Sequence, residues 1–269
     1  MRLLALLDKT SAIIRRDLVT SLRYRTGFSL GLLSGVAEIA ALYYLARAVG
    51  PGFRPEGMEY YPYLLVGTGF YTFLIMGINS FLTTVQEAQQ TGTLEVLMTT
   101  ATPAPALVIL SAISSFVGKS FALLLYLAGG LFLFRVALHA PNLPGCLMVF
   151  ALSVGIAVAI GIIAAAVQIA VQKGSAVVWL LGSAVWFLTG TLFPVDSLPK
   201  ILQSLASLIP MTHALTGMRL ALLQGTSLRM LGPELIILAG FCTLLLPASL
   251  LFFSYTLRRA RIQGTLSFY

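Results

Sequence analysis

Charge is what this sequence has least of. Asp, Glu, Lys and Arg make up 10% of its 269 residues, against roughly 25% in soluble globular domains. So little ionic surface excludes a water-soluble domain of this length. With 58% of residues drawn from AVILMFWYC and a mean hydropathy of +0.93, lipid is the solvent the chain is built for. Backbone polar groups in hydrocarbon must pair within the chain, so spanning segments are helices or closed barrels. Barrels show short alternating segments, whereas the apolar residues here come in long runs. Cysteine is equally scarce: Cys146 and Cys242 lie in separate apolar segments without CxxC spacing, which suggests neither a disulfide framework nor a zinc site. His139 and His213 are the only histidines, so the H-E-x-x-H pattern that sets two imidazoles on one helix face is missing. A phosphate loop requires GxxxxGK[ST]. Gly118-Lys119-Ser120 supplies only its ending, with Ile113 where the first glycine belongs. The chain is therefore read as no enzyme in itself, with no metal and no cofactor of its own.

A spanning helix needs about 20 mostly apolar residues, and six runs qualify: approximately 28–49, 62–85, 120–138, 147–171, 175–193 and 235–257. The fold expected is all-α and integral to a membrane, in a single transmembrane domain over 1–269. The formal charge of +8 is a topology signal rather than a nucleic-acid footprint, because no basic stripe with interleaved aromatics accompanies it. Arg2, Lys9, Arg15, Arg16, Arg23 and Arg25 precede the first run, and Arg258, Arg259 and Arg261 follow the last. Both ends are expected on the cytoplasmic side, where Lys and Arg are retained. The apolar stretch Leu3 to Leu7 is broken by Asp8 and Lys9, unlike a signal peptide.

Three segments between or beside the runs have their own pattern. Residues 1–27 place Leu3, Leu7, Ile14, Leu18 and Leu22 on one stripe, an interfacial amphipathic helix that serves either as a collar for a cytoplasmic partner or as an anchor. Residues 86–105 are polar yet hold no Lys or Arg. Thr91-Gly92-Thr93 reads there as a helix break and N-cap, before a short apolar face of Leu94, Leu97 and Met98 closed by Pro103. After the fifth run, Phe193-Pro194 and Leu198-Pro199 lead into Ile201, Leu202, Leu205, Leu208 and Ile209, then Pro210. That stripe is too short to span and reads as a re-entrant or interfacial hairpin within 194–232. The last span then occupies 233–257 and a cytoplasmic tail 258–269.

Glu38 is the carboxyl nearest the middle of a run. Ionisable groups at that depth face a bundle interior or a wet cavity, which leaves either a functional pathway or a packing hydrogen bond. Tyr43, Tyr44, Tyr60, Tyr61, Tyr63, Phe70, Tyr71 and Phe73 gather near the ends of runs one and two. They read as an interfacial anchoring belt or as a stacking surface for sugar rings or an amphiphile.

Two stretches resemble the ABC-2 type transporter permease family. In the first, Glu87, Gly92, Thr93, Leu94, Glu95, Leu97 and Pro103 are similar to the family's "E, GTLE, L, P" cytoplasmic segment. In the second, Phe193, Pro194, Pro199, Pro210, His213 and Arg219 resemble its external hairpin. Lys119 departs from the family pattern, which places a basic residue nearer the proline. The resemblance implies an exporter subunit that pairs with a second permease copy, as homodimer or heterodimer, and with two copies of a nucleotide-binding subunit that binds ATP and Mg. It implies a coupling helix at about 86–103 and a substrate path for which Glu38, Tyr43 and Tyr71 are candidates. An amphiphilic, lipid-linked, glycan or drug-like cargo is expected, in a bacterial-type inner membrane, with lipids and no nucleic acid as further contacts. Rival readings are an ion-coupled secondary transporter using Glu38, although no internal repeat supports it, and a non-transporting membrane scaffold.

Overall fold

A computed structural model describes residues 25–90, 104–136, 138, 140–171 and 182–263. The described residues are mostly helical, without a strand. In chain order the helices are α1 (Arg25–Val49), α2 (Tyr60–Gln90), α3 (Ala104–Leu133), α4 (Leu143–Val171), residues 182–188 (α5), α6 (Lys200–Ser207), α7 (Pro210–Leu222) and α8 (Gly232–Gln263). Among the described residues, four stretches are long and apolar enough to cross a membrane: Ser29–Val49, Tyr60–Gln90, Leu143–Ala170 and Gly232–Ala260. They coincide with the first, second, fourth and sixth runs of the sequence.

α2 is the axis of the bundle. An all-round apolar helix buries itself among others, and α2 packs against α1, α3, α4 and α7. Phe70, Phe73, Phe81 and Val85 of α2 are all but fully enclosed, and Phe73 meets Phe116 of α3 edge-on and Phe150 of α4 in a stack. Small residues let the backbones approach. A Cβ on Gly161 of α4 would stand 2.4 Å from the Phe81 ring, and one on Gly77 of α2 would stand 2.1 Å from the Phe116 ring. α8 lies along α4 and α7 with its outer face bare, and Pro247 sits within it without ending the helix. Among the described residues, α1 is held through its second half, where Ile39, Leu42 and Ala46 pack on Tyr61, Leu64 and Leu65.

Three expectations change. The third run was expected to begin at Ser120, but α3 starts at Ala104 and continues for 30 residues. Lys119 is not a boundary, because its ammonium donates to the Met76 carbonyl of α2 at 2.6 Å and to the Ser80 hydroxyl. The fifth run was carried to Phe193, whereas helix ends at 188 and the chain turns at Gly190, whose φ of +74° suits a residue without Cβ. The aromatic belt is also revised. Tyr61, Tyr63, Phe70, Tyr71 and Phe73 are interior, because α2 is enclosed on all sides along this stretch. The amphipathic segment at the N-terminus, residues 91–103, residues 172–181 and the tail after Gln263 lie outside the described residues.

Candidate functional site

α2 carries Tyr60, Tyr63, Gly67 and Tyr71, spaced so that helical geometry sets them on one face. That face meets α5 at Gly182 and the stretch of chain that follows it. The Tyr71 hydroxyl donates to Gly182 O at 2.6 Å, Tyr63 to Gly190 O at 2.8 Å and Tyr60 to Leu192 O at 3.0 Å. The carbonyls of Gly190 and Leu192 lie in the turn after the helix, where no helical partner is left for them.

The gap at Gly67 is filled by Arg219 from α7. A Cβ at this position would lie 2.0 Å from Nη2 of that arginine and 2.9 Å from Thr191 O. The guanidinium is 1% exposed. It donates from Nε to Tyr63 O at 3.3 Å, from Nη1 to Gly190 O at 3.0 Å and from Nη2 to Thr191 O at 3.0 Å, and its carbon lies 3.5 Å from the centre of the Tyr63 ring. A planar fork of donors is what several carbonyls and a ring face require at once, which lysine could not supply. A buried charge is costly unless so paired.

The hairpin follows from prolines. Pro199 stands at the N-cap of α6 and Pro210 opens α7, where a missing N–H costs nothing. Pro194 O accepts from the backbone and hydroxyl of Ser197, and Phe193 meets Phe187 edge-on. The two short helices occupy the stretch expected between Pro199 and Leu223. His213 of α7 bonds through Nδ1 to Glu234 Oε2 of α8 at 2.7 Å and through Nε2 to Ser207 O of α6 at 2.9 Å. Both partners are acceptors, so both ring nitrogens must carry hydrogen for the two bonds to coexist. The Glu234 hydrogen bond is the main reason His213 holds its proton above the ordinary imidazole range, against the opposing effect of burial.

Asn142 was not singled out in the sequence. Its side-chain oxygen caps α4 by accepting from Gly145 N, while its amide donates to Thr226 O at 2.7 Å. The signal available was Asn two residues before Pro144 at the head of an apolar run. Arg219, His213 and Asn142 together fasten the hairpin to α2, α8 and α4.

The remaining candidates sit elsewhere. Glu38 is exposed on α1 and accepts from the Tyr126 hydroxyl of α3 at 3.5 Å. Tyr43 stacks on Phe134 with centroids 3.9 Å apart and meets Tyr61 edge-on. Tyr71 is buried and engaged with Gly182, so Glu38, Tyr43 and Tyr71 are not brought together. Glu87 is exposed on the last turns of α2, and Gly92, Thr93, Leu94, Glu95, Leu97 and Pro103 lie outside the described residues. The arrangement is one of hydrogen bonds and packing. It locks the hairpin at one end of α2 and leaves Glu87 at the other, joined by a helix of 31 residues, about 46 Å at 1.5 Å per residue.

No curated protein matches the chain. The family model described as ABC-2 type transporter matches residues 5–223, from the basic N-terminal segment to the residue after α7. Its members are membrane permease components rather than ATPases, and they work with a subunit that binds ATP. With most of its length matched and its long apolar helices in place, the chain belongs to the ABC-2 type transporter family.

Proposed function

We propose that the protein is the permease subunit of an ABC exporter, moving an amphiphilic, lipid-linked, glycan or drug-like substrate outward across the cytoplasmic membrane of a bacterial-type cell. The observation that carries this reading is the family match over residues 5–223, which takes in Glu87 to Pro103 and the hairpin through Arg219. Two permease copies enclose the path, and two nucleotide-binding subunits beneath them bind ATP and Mg. Six spans with both termini cytoplasmic put the hairpin on the outer face, where it dips into the bilayer. The length of α2 supports the coupling role of residues 86–103. At about 46 Å it exceeds the ~30 Å hydrocarbon core, so its Gln90 end reaches water with Glu87 exposed.

Leu94 and Leu97 are the apolar knobs of that segment, and Glu87 and Glu95 are its partners for basic residues of the ATPase. Truncating both leucines to Ala removes buried apolar contact worth about 2–5 kcal/mol per site when well packed. Pull-down of the ATPase and ATP-driven transport in reconstituted membranes should both fall, while the permease still inserts. Full association and full transport in the double variant would remove the coupling assignment.

A further inference from the structure

Lys119 is a cation at the middle of the 30-residue α3. Its ammonium reaches across to α2, where it donates to Met76 O at 2.6 Å and to the Ser80 hydroxyl. Both acceptors are neutral, and an ammonium has three donors, so among the described residues one N–H and the whole positive charge are left over. No ion pair to Lys119 exists among the described residues. Glu38, the carboxylate facing the same side of α3, is held by Tyr126, seven positions and about 10 Å of helix rise further on, too far for a salt bridge. A charge at bilayer depth without a counter-charge is expensive, and such groups mark ligand pathways or pair with an anion.

The surroundings suit one kind of anion. Lys119 is half-buried, and beside it the α2 edge is open: Met76 is 49% exposed, Asn79 is half-buried and Thr83 is exposed. On α3, Ala122 and Leu125 are exposed in the turns that follow. An apolar wall thus continues from a cationic point with hydroxyl and amide groups at its rim. We propose that Lys119 anchors the anionic head group, a phosphate or carboxylate, of an amphiphile whose hydrocarbon chain lies against the α2–α3 edge. Ser80 positions the ammonium through its hydroxyl. The inference deepens the permease reading by assigning a negative charge to the cargo class, and it rests on that reading for the ligand's being transported. Binding itself requires neither ATP nor the partner subunit, so the two ideas fail separately.

The test is equilibrium binding to the full chain in neutral detergent, followed by native mass spectrometry. The probes are dodecyl phosphate, dodecanol, inorganic phosphate, and phosphatidic acid added from mixed micelles. Dodecyl phosphate should bind about tenfold or more tightly than dodecanol, the factor expected of one charge-assisted hydrogen bond. Lys119→Gln should abolish that preference without changing dodecanol binding, and Lys119→Arg should retain it. If phosphatidic acid competes at equal concentration, the site takes a bilayer lipid head group; if it does not, a single-chain amphiphile is the ligand, and either result upholds the anionic anchor. Equal binding of dodecyl phosphate and dodecanol to the unaltered chain, a preference unchanged in Lys119→Gln, or saturation by inorganic phosphate alone would overturn the proposal. The comparison of probes on the unaltered chain decides the matter even if Lys119→Gln fails to fold.

Discussion

At the residue scale the hairpin depends on a few side chains whose hydrogen bonds have no substitute. Arg219 donates to three backbone carbonyls, and among the described side chains only Gly190 O has a second donor, the Tyr63 hydroxyl. Arg219→Lys keeps the charge but loses the fork, and each carbonyl left unpaired in the interior costs about 1–3 kcal/mol. Thermal unfolding in detergent should show a clear loss of stability. An unchanged midpoint in Arg219→Lys would mean that the carbonyls find water, and that the arginine does not bind the hairpin to α2. His213 gives a second, pH-dependent expectation. Its folded-state proton affinity is raised, first of all by Glu234, so its contribution is fully present below the ordinary imidazole value of about 6.5. It disappears as pH climbs through the raised folded value. The difference in melting midpoint between the unaltered chain and His213→Ala should therefore be largest on the acid side and shrink as pH rises. A difference independent of pH would show that the ring serves by packing alone.

Helices and their contacts form the next scale. α2 and α4 approach closely where Phe81 meets Gly161, and no side chain larger than hydrogen fits without displacing a ring that is fully enclosed. Gly161→Ala should cost about 1–3 kcal/mol by overpacking, read as a lower melting midpoint, with Phe81→Leu in the same chain recovering part of it. No recovery would mean that the two positions do not oppose each other. The long apolar runs made α1, α2, α4 and α8 legible in advance, because length and composition alone decide what can cross hydrocarbon. The two short helices α6 and α7 were legible for a different reason: prolines at 199 and 210 punctuate an apolar stretch too short to span. The start of α3 was not legible. A lysine inside an apolar run reads as an edge until its partners are known, and Met76 O and Ser80 lie 43 and 39 residues away in sequence. The aromatic residues of α2 failed in the same way. Periodicity places Tyr60, Tyr63 and Tyr71 on one face, but only the packed bundle shows that the face meets protein rather than head groups. Arg219 and His213 were singled out through the family pattern, yet their partners, at Tyr63, Gly190, Thr191, Ser207 and Glu234, depend on how the elements meet.

For the molecule as a whole, the open question of physics is which surfaces meet lipid and which face which side. α1 exposes Leu30, Leu33 and Tyr44, and α8 exposes Ile236, Leu244 and Leu251, an apolar exterior that only hydrocarbon or another apolar helix can cover. Between them the α2 axis separates two unlike ends, one closed by the hairpin with Arg219 buried in it and one carrying Glu87. Under the proposed topology the basic residues at 2–25 and 258–261 set the second end in the cytoplasm, where positive charge is retained. That assignment fixes the direction in which coupling would have to act. Single cysteines in a background where Cys146 and Cys242 are replaced by Ala give the measurement, with a membrane-impermeant maleimide applied to intact cells and to inverted vesicles. Ser11→Cys and Ser267→Cys should label in inverted vesicles alone, and Ser197→Cys, exposed in the turn before α6, should label in intact cells. Labelling of all three from one side would mean that an odd number of crossings between the hairpin and the ends has been miscounted, and would put Glu87, at the opposite end of α2 from the hairpin, on the outer face. A hairpin on the same side as the basic ends could not be an outer structure, and α2 would then no longer connect an ATP-driven segment to it across the bilayer.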